Sequence, residues 1–286
     1  MRRRPCRISV TTETALPTEP VSGYVAAYPS CEDLVRSGLI DRVLASRFTR
    51  IDDPSATVLA LLTRMGRRFE AIFVASSTCI WPVTEAVGFT DRLGDHLEAG
   101  GNLRFLTGRG CNTTLDAVVL AEQEVGSGRH DNILVISVDS CPPNLNRLQN
   151  YAFFSDACTA IHVSNAGGTH EILSSHSGVA HYSGTSFPTA NGLDDVEYGE
   201  FRSRPPRELG LLTLNCFDFV LRFKYGSSVL FDHLHPAPVH VHSFGADPFL
   251  FLALPAAPAL ALIHVESPPR HTADLLVRSV REPTTT

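Results

Sequence analysis

The sequence predicts an α/β fold with a layered, largely parallel sheet. Three observations carry this. "NLRFLTG" (102–108), a helix-patterned stretch (113–125) and "NILVISVDS" (132–140) follow one another as strand, helix and strand. "EAIFVASST" (70–78) reads as a buried strand that runs into a polar turn. The same alternation returns more weakly over 209–282.

Taken in order, the opening "MRRRPCRISVTTET" is basic but has no apolar stretch, so it does not read as a secretory signal. In 113–125, Leu115, Val118, Val119 and Glu122 have helical spacing, and Gly126 and Gly128 end the helix. "NILVISVDS" is strongly β-prone, and "ACTAIHVSN" (157–165) is one more strand. From 166 to 207 the chain is rich in Gly, Ser, Pro and charge, which predicts a long loop able to cover a site. "LGLLTLNCFDFVLRFKYG" (209–226) has helix-like periodicity. "APVHVHSFG" (237–245) predicts a strand leading to a turn. "ALALIHVES" (259–267) predicts a final strand and "TADLLVRSVRE" (272–282) a terminal helix.

Composition narrows the function. The chain has 286 residues, 43% apolar and 19% charged, as in ordinary soluble proteins. Its net charge is −6 with no basic stripe, which argues against nucleic acid. "PFLFLALPAAPALALI" is interrupted by Pro255 and Pro258, too short and broken to span a membrane. Seven cysteines, an odd number without paired spacing, read as reduced cytoplasmic thiols rather than disulfides or a metal site.

One cysteine stands apart. In "TGRGCNTTLDAVVLAEQEVGSG", Gly108 and Gly110 permit a tight connection from strand to helix and Cys111 falls in the first turn. There the unpaired N–H groups and the helix dipole favour a thiolate, and the same amides can hold an oxyanion. The local pattern leaves two readings open, a small buried thiol or a nucleophile. Cys79, Cys158 and Cys216 lack this setting and read as core thiols.

After the cysteine, its helix and the strand "NILVISVDS" comes a motif of the type F-x-D-x-A-x-A, here Phe154, Ser155, Asp156, Ala157, Cys158, Thr159 and Ala160. "IFVASSTCIWP" precedes them. This series resembles the thiolase superfamily, and within it ketoacyl-acyl-carrier-protein synthase III. The resemblance implies a thiolase-like fold of two similar α/β halves in α-β-α-β-α layers. They would be an N-terminal half at 1–165 with the nucleophile and a shortened C-terminal half at 166–286 with the catalytic histidine. It implies Cys111 as nucleophile and a histidine about 130 residues on. His242 fits at the turn; His240, on the same strand face, is the alternative. The family's third residue, an asparagine, is matched by His271. Asp274 orients His271 or, as favoured, caps a helix or stands as a solvated surface charge.

The implied activity is that of an acyltransferase or condensing enzyme working through a Cys111 thioester, in specialised, polyketide or fatty-acid-related metabolism. The substrate would be a coenzyme A or acyl carrier protein thioester, with no other cofactor, no metal, and a homodimer paired through 132–140. The family's usual aromatic/arginine pair for coenzyme A is not found, which favours a carrier-bound substrate. Trp81 reads as core or interface. The family also ends in two strands joined by a glycine-rich turn that donates to the oxyanion; "SVREPTTT" offers no such turn. Two alternatives are therefore kept, a non-catalytic partner subunit and an acyl-thioester hydrolase.

Overall fold

The computed structural model describes residues 4–280 apart from 14–15, 28–32, 34–37, 39, 80, 82, 180–203, 226–228, 236–240 and 268–270. In chain order the elements are β1 (Arg7–Thr12), β2 (Thr18–Pro20), α1 (Val21–Ala26), α2 (Asp41–Leu44), β3 (Arg47–Thr49), α3 (Pro54–Met65), β4 (Phe69–Ala75), α4 (Val83–Gly94), β5 (Leu97–Leu106), α5 (Thr113–Gly126), β6 (Asn132–Asp139), β7 (Ala157–Ser164), β8 (His170–Val179), β9 (Leu209–Leu212), α6 (Asp218–Tyr225), α7 (Asp247–Leu252), β10 (Leu260–Ser267) and β11 (His271–Ser279). Short 3-10 turns cover Gly110–Asn112, Val229–His233 and Phe244–Ala246.

Nine strands form one mixed sheet in the order β5-β4-β6-β7-β1-β8-β11-β10-β9. The two sides of the β1/β8 seam repeat one pattern. β4 and β6 are parallel, β6 and β7 antiparallel, and β7 and β1 antiparallel. Across the seam β9 and β10 are parallel, β10 and β11 antiparallel, and β11 and β8 antiparallel. The edge strand β5 has no counterpart among the described residues, and ahead of β10 stands only the short α7, packed in the same core cluster, where the long helix stands ahead of β6.

That helix, α5, is the centre of the molecule. Eleven of its fourteen residues are buried. Leu115, Val118 and Val125 pack in one cluster with Phe73, Val135 and Ile161 from one side of the seam and Ile263, Leu275 and Val277 from the other. A second cluster covers the opposite sheet face, where Val58, Leu61 and Leu62 of α3 meet Phe69, Ile72 and Ile136. Asp53 caps α3 by accepting from Ala56 N at 2.8 Å, and Pro54 fills its first position. Among the described residues no helix is long and apolar enough to cross a membrane.

Several sequence expectations change. The terminal helix over 272–282 is strand β11, so the expected final strand, β10, is followed by another and the two form the closing pair. Ala273, Leu275 and Val277 also fit a period of two, and pairing with β8 and β10 on either side selects it. The loop predicted over 166–207 contains β8, whose serines disguise a buried strand: Ser175 Oγ donates to Glu122 Oε2 at 2.8 Å. The helix-like 209–226 begins with strand β9. In 237–245, residues 236–240 lie outside the described set; the rest is a single bridge between His242 and Phe154 followed by a 3-10 turn. The strand at 132–140 cannot pair edge to edge with a second copy, because β4 and β7 flank it on both sides.

Candidate active site

Cys111 lies in the 3-10 turn that leads into α5. The turn is held from three directions. Ser77 Oγ and Thr113 Oγ1 each donate to Gly110 O at 2.7 Å, and Ser267 Oγ at the end of β10 donates to Arg109 O at 3.0 Å. Gly110 has φ +55°, and a Cβ there would come within 3.3 Å of Ser267 Oγ, so glycine suits this position on both counts. Ser77 is placed in turn by the fully buried Asp139. Its Oδ1 accepts from Ser76 Oγ, Ser77 N, Thr78 N and Thr78 Oγ1. Burial raises the Asp139 carboxyl to about 6.

His242 stands 3.5 Å from Cys111, Nε2 to Sγ. A parallel bridge fixes its backbone: His242 N donates to Phe153 O at 2.7 Å and Ser155 N donates to His242 O at 2.8 Å. The Phe154 ring lies 5.2 Å from the imidazole and stacks on Phe244 at 4.7 Å. Phe244 takes a positive φ of 53°, uncommon for a bulky side chain. Gly245 follows, and a Cβ on it would fall 2.7 Å from Cys111 O and 2.6 Å from Thr114 Oγ1. Only glycine lets the histidine turn approach the cysteine turn this closely. Asp156 of the motif supports the site from behind. Arg147 donates to both of its oxygens, at 2.7 and 3.0 Å, and Cys141 N and Ile51 N complete its shell.

The group that completes the arrangement is one the sequence reading missed. Asp247, at the start of α7, accepts from His242 Nδ1. The same carboxylate accepts from Asn215 N at 2.8 Å and Ser243 N at 2.7 Å, and Asn215 Nδ2 lies 3.3 Å away. Burial opposes charge on His242, but the Asp247 carboxylate, with Cys111, outweighs it and holds the imidazole well above its ordinary value. The available signal was local: a carboxylate five residues after the histidine, followed by Pro248 at a helix start.

The other named residues fall as follows. His240 lies outside the described residues. His271 opens β11 opposite Ser267 and, by alternation, faces the same side as Ala273, toward α5. Its Nδ1 is buried without a hydrogen-bond partner, and no described contact joins it to Cys111 or His242. Asp274 neither caps a helix nor orients His271; it is buried and accepts from His264 Nδ1 at 2.6 Å. Trp81 donates to Ser55 Oγ and stacks on Phe89. Cys158 is buried and burial raises it; Cys79 is raised by the same cause. Among the described residues no cluster could hold a metal ion.

Residues 107–180 match the family 3-oxoacyl-[acyl-carrier-protein (ACP)] synthase III. Solved structures align over nearly the whole chain. ChlB3, an acyltransferase, aligns with a TM-score of 0.68 at 16% identity, covering 96% of this chain and 98% of that one. The chain has a thiolase-like fold and a segment similar to synthase III. A variant of OleA from Xanthomonas campestris aligns with a TM-score of 0.67 at 10% identity, covering 97% of this chain and 100% of that one. The 3-oxoacyl-(acyl carrier protein) synthase III, FabH, of Pseudomonas aeruginosa gives 0.65 at 13%, covering 99% and 100%. No curated protein sequence matches the chain.

Proposed function

We propose that this synthase III-like protein is an acyltransferase that carries its acyl group on Cys111 and passes it to an oxygen or nitrogen acceptor. The observation that carries this reading is Asp247 on His242 Nδ1. An ionised carboxylate only accepts, so the Nδ1 position keeps its proton and Nε2 faces the cysteine as a base when the ring is neutral. Condensation with loss of carbon dioxide instead calls for a donor aimed at the enolate oxygen, which His242 Nε2 offers only while the ring is protonated and gives up to the departing carrier thiol.

The steps follow from the geometry. The Cys111 thiolate attacks the thioester carbonyl carbon. The tetrahedral species collapses, the carrier thiol leaves with the proton of His242 Nε2, and the acyl group remains on sulfur. Acylation removes the cysteine's charge and its bond to the ring, two of the influences that hold the imidazolium. The ring is thus a freer base when the acceptor arrives. Nε2 takes the acceptor's proton, the acceptor attacks, and Cys111 departs as thiolate beside a restored imidazolium. His271 is assigned to the acceptor side of this second step, on its place beside Ser267. A carrier-bound or coenzyme A thioester is the donor, and the reduced thiols fit a cytoplasmic setting.

The same reading includes a homodimer through β5, the sheet edge on the nucleophile side, where Phe105 is 41% exposed. Intact-protein mass spectrometry with a panel of acyl thioesters tests the chemistry. Wild-type protein gains one acyl mass and Cys111→Ala gains none. Acceptor-dependent loss of that mass without carbon dioxide release from a malonyl thioester supports transfer. Carbon dioxide release means condensation, loss to water alone means hydrolysis, and no uptake at all means a non-catalytic partner.

A further inference from the structure

An acyl group on Cys111 is held by its bond to sulfur. The alcohol or amine that comes to take it has no such handle, and only groups of the protein can orient it between the acyl carbon and His242 Nε2. Polar side chains beside the pair are already committed: Asp247 to His242, Asn215 and Ser243, and Ser77 to Gly110.

Tyr151 is placed there and is not committed. Residues 147–154 form a short hairpin, closed by Phe154 N on Arg147 O at 2.8 Å and Gln149 N on Ala152 O at 2.9 Å, with Tyr151 at its tip. Its returning arm is the one that bridges His242. The tip is tied down where Phe217 N donates to Tyr151 O at 2.8 Å, two residues after the Asn215 that holds Asp247. The phenol ring stands edge-on to Phe154 at 5.7 Å, and the other neighbour of Phe154 is the imidazole. Tyr151 is 39% exposed and His242 1%, so the phenol is the solvent end of this row of rings. Its hydroxyl lies near enough to His242, Cys111 and Cys216 for each to act on its ionisation. Burial raises it above its ordinary value, with the two thiols adding and His242 opposing, so it stays O–H. It makes no hydrogen bond to any described residue.

We infer that Tyr151 is the acceptor-positioning residue of this site, its Oη holding the incoming nucleophile at the rim between His242 Nε2 and the acyl carbon. The inference rests on the acyl-transfer reading above. Both kinds of acceptor suit a phenol. An alcohol that gives its proton to Nε2 and one lone pair to the carbonyl carbon keeps a second lone pair for Oη–H, and an amine keeps an N–H for Oη to accept.

2-Aminoethanol serves as the probe nucleophile. Wild type and Tyr151→Phe, which keeps the ring against Phe154 and removes only the O–H, are acylated, freed of thioester and mixed with it, and loss of the acyl mass gives the rate. The acylated chain unfolded in denaturant gives the unassisted rate. Acyl uptake, alkylation of Cys111 by iodoacetamide and melting are followed for both proteins. The expected result is transfer slowed by about 3- to 10-fold in the variant, the worth of one hydrogen bond, with uptake, alkylation and melting as in wild type. Equal transfer rates remove Tyr151 from the acceptor's path, and equal falls in uptake, alkylation and transfer assign it a structural role; each overturns the inference. Folded wild-type protein that takes up no acyl group, or loses it to 2-aminoethanol no faster than the unfolded chain does, overturns the functional reading itself.

Discussion

Replacing Asp247 by Asn tests the centre of the chemistry. The carboxylate accepts on both oxygens: Oδ2 from His242 Nδ1 and Asn215 N, Oδ1 from Ser243 N with Asn215 Nδ2 close by. An amide in the same place sets its own NH₂ against donors whichever way it turns. Facing Oδ2's partners, it opposes Asn215 N and forces His242 into the tautomer with the proton on Nε2. Facing Oδ1's partners, it opposes Ser243 N. Either orientation leaves a buried donor unpaired, costing about 1–3 kcal/mol, or roughly 2–4 °C of melting temperature per kcal/mol for a chain of this size. Loss of a correctly held base should slow transfer from the acyl-enzyme by about 10²- to 10⁴-fold. The pH dependence has a definite sign. Asp247 raises His242, so its removal leaves burial to lower it, and the rising limb of the deacylation profile moves to lower pH as the plateau falls. The raised imidazole also contributes stability that is complete below its unfolded value of about 6.5 and fades as pH climbs through the folded one; the variant should lose that slope. Single-turnover decay of the acyl mass across pH, with melting at each pH, measures all of this. An unchanged plateau and limb would refute the assignment of Asp247 as the partner that sets the tautomer.

Further outcomes follow from other residues. Gly245→Ala puts a Cβ into Cys111 O and Thr114 Oγ1, so the histidine turn must retreat and acylation should fall by about 10²-fold; an unaffected rate would mean the turn yields at no cost. Asp139, raised from 3.8 to about 6, disfavours its own ionisation in the fold by ~3 kcal/mol, a cost absent below about pH 4 and complete above about pH 6. Asp139→Asn keeps the acceptor that Ser76, Ser77 and Thr78 use, so it should stabilise the protein at pH 7 and do little at pH 4, as read by denaturant midpoints. Phe105→Lys places charge on the β5 edge and should give a monomer in sedimentation at micromolar concentration; a mass unchanged from wild type would move the interface elsewhere.

The first half of the fold was legible because its strands are apolar runs bounded by glycine or polar turns, with one amphipathic helix between them. The second half was harder because burial there is polar. β8 carries Ser174, Ser175 and His176, and no composition rule finds a strand in which a serine, Ser175, is satisfied by a buried glutamate on another element. β11 fits both helical and strand periods, and its neighbours chose. Counting residues brought His242 beside Cys111, since both lie at element ends fixed by the sheet. The same counting placed His271 at an asparagine's position when it opens the last strand. Asp247 went unseen because its meaning depends on a turn that folds back five residues, and that turn rests on Gly245 meeting Cys111 across 134 residues of chain.

The helix behind Cys111 touches the sheet on both sides of the β1/β8 seam, with little surface left to water. No subset of this chain can keep α5 ordered while one side comes apart, so its amides should exchange hydrogen only when the whole molecule opens. The Cys111 thiol, partly exposed at the end of the same helix, can be labelled from the folded state, whereas Cys158 must wait for opening. One polypeptide therefore reports its local and its global fluctuations through two cysteines, and the proposed carrier of the acyl group opens the element least able to move.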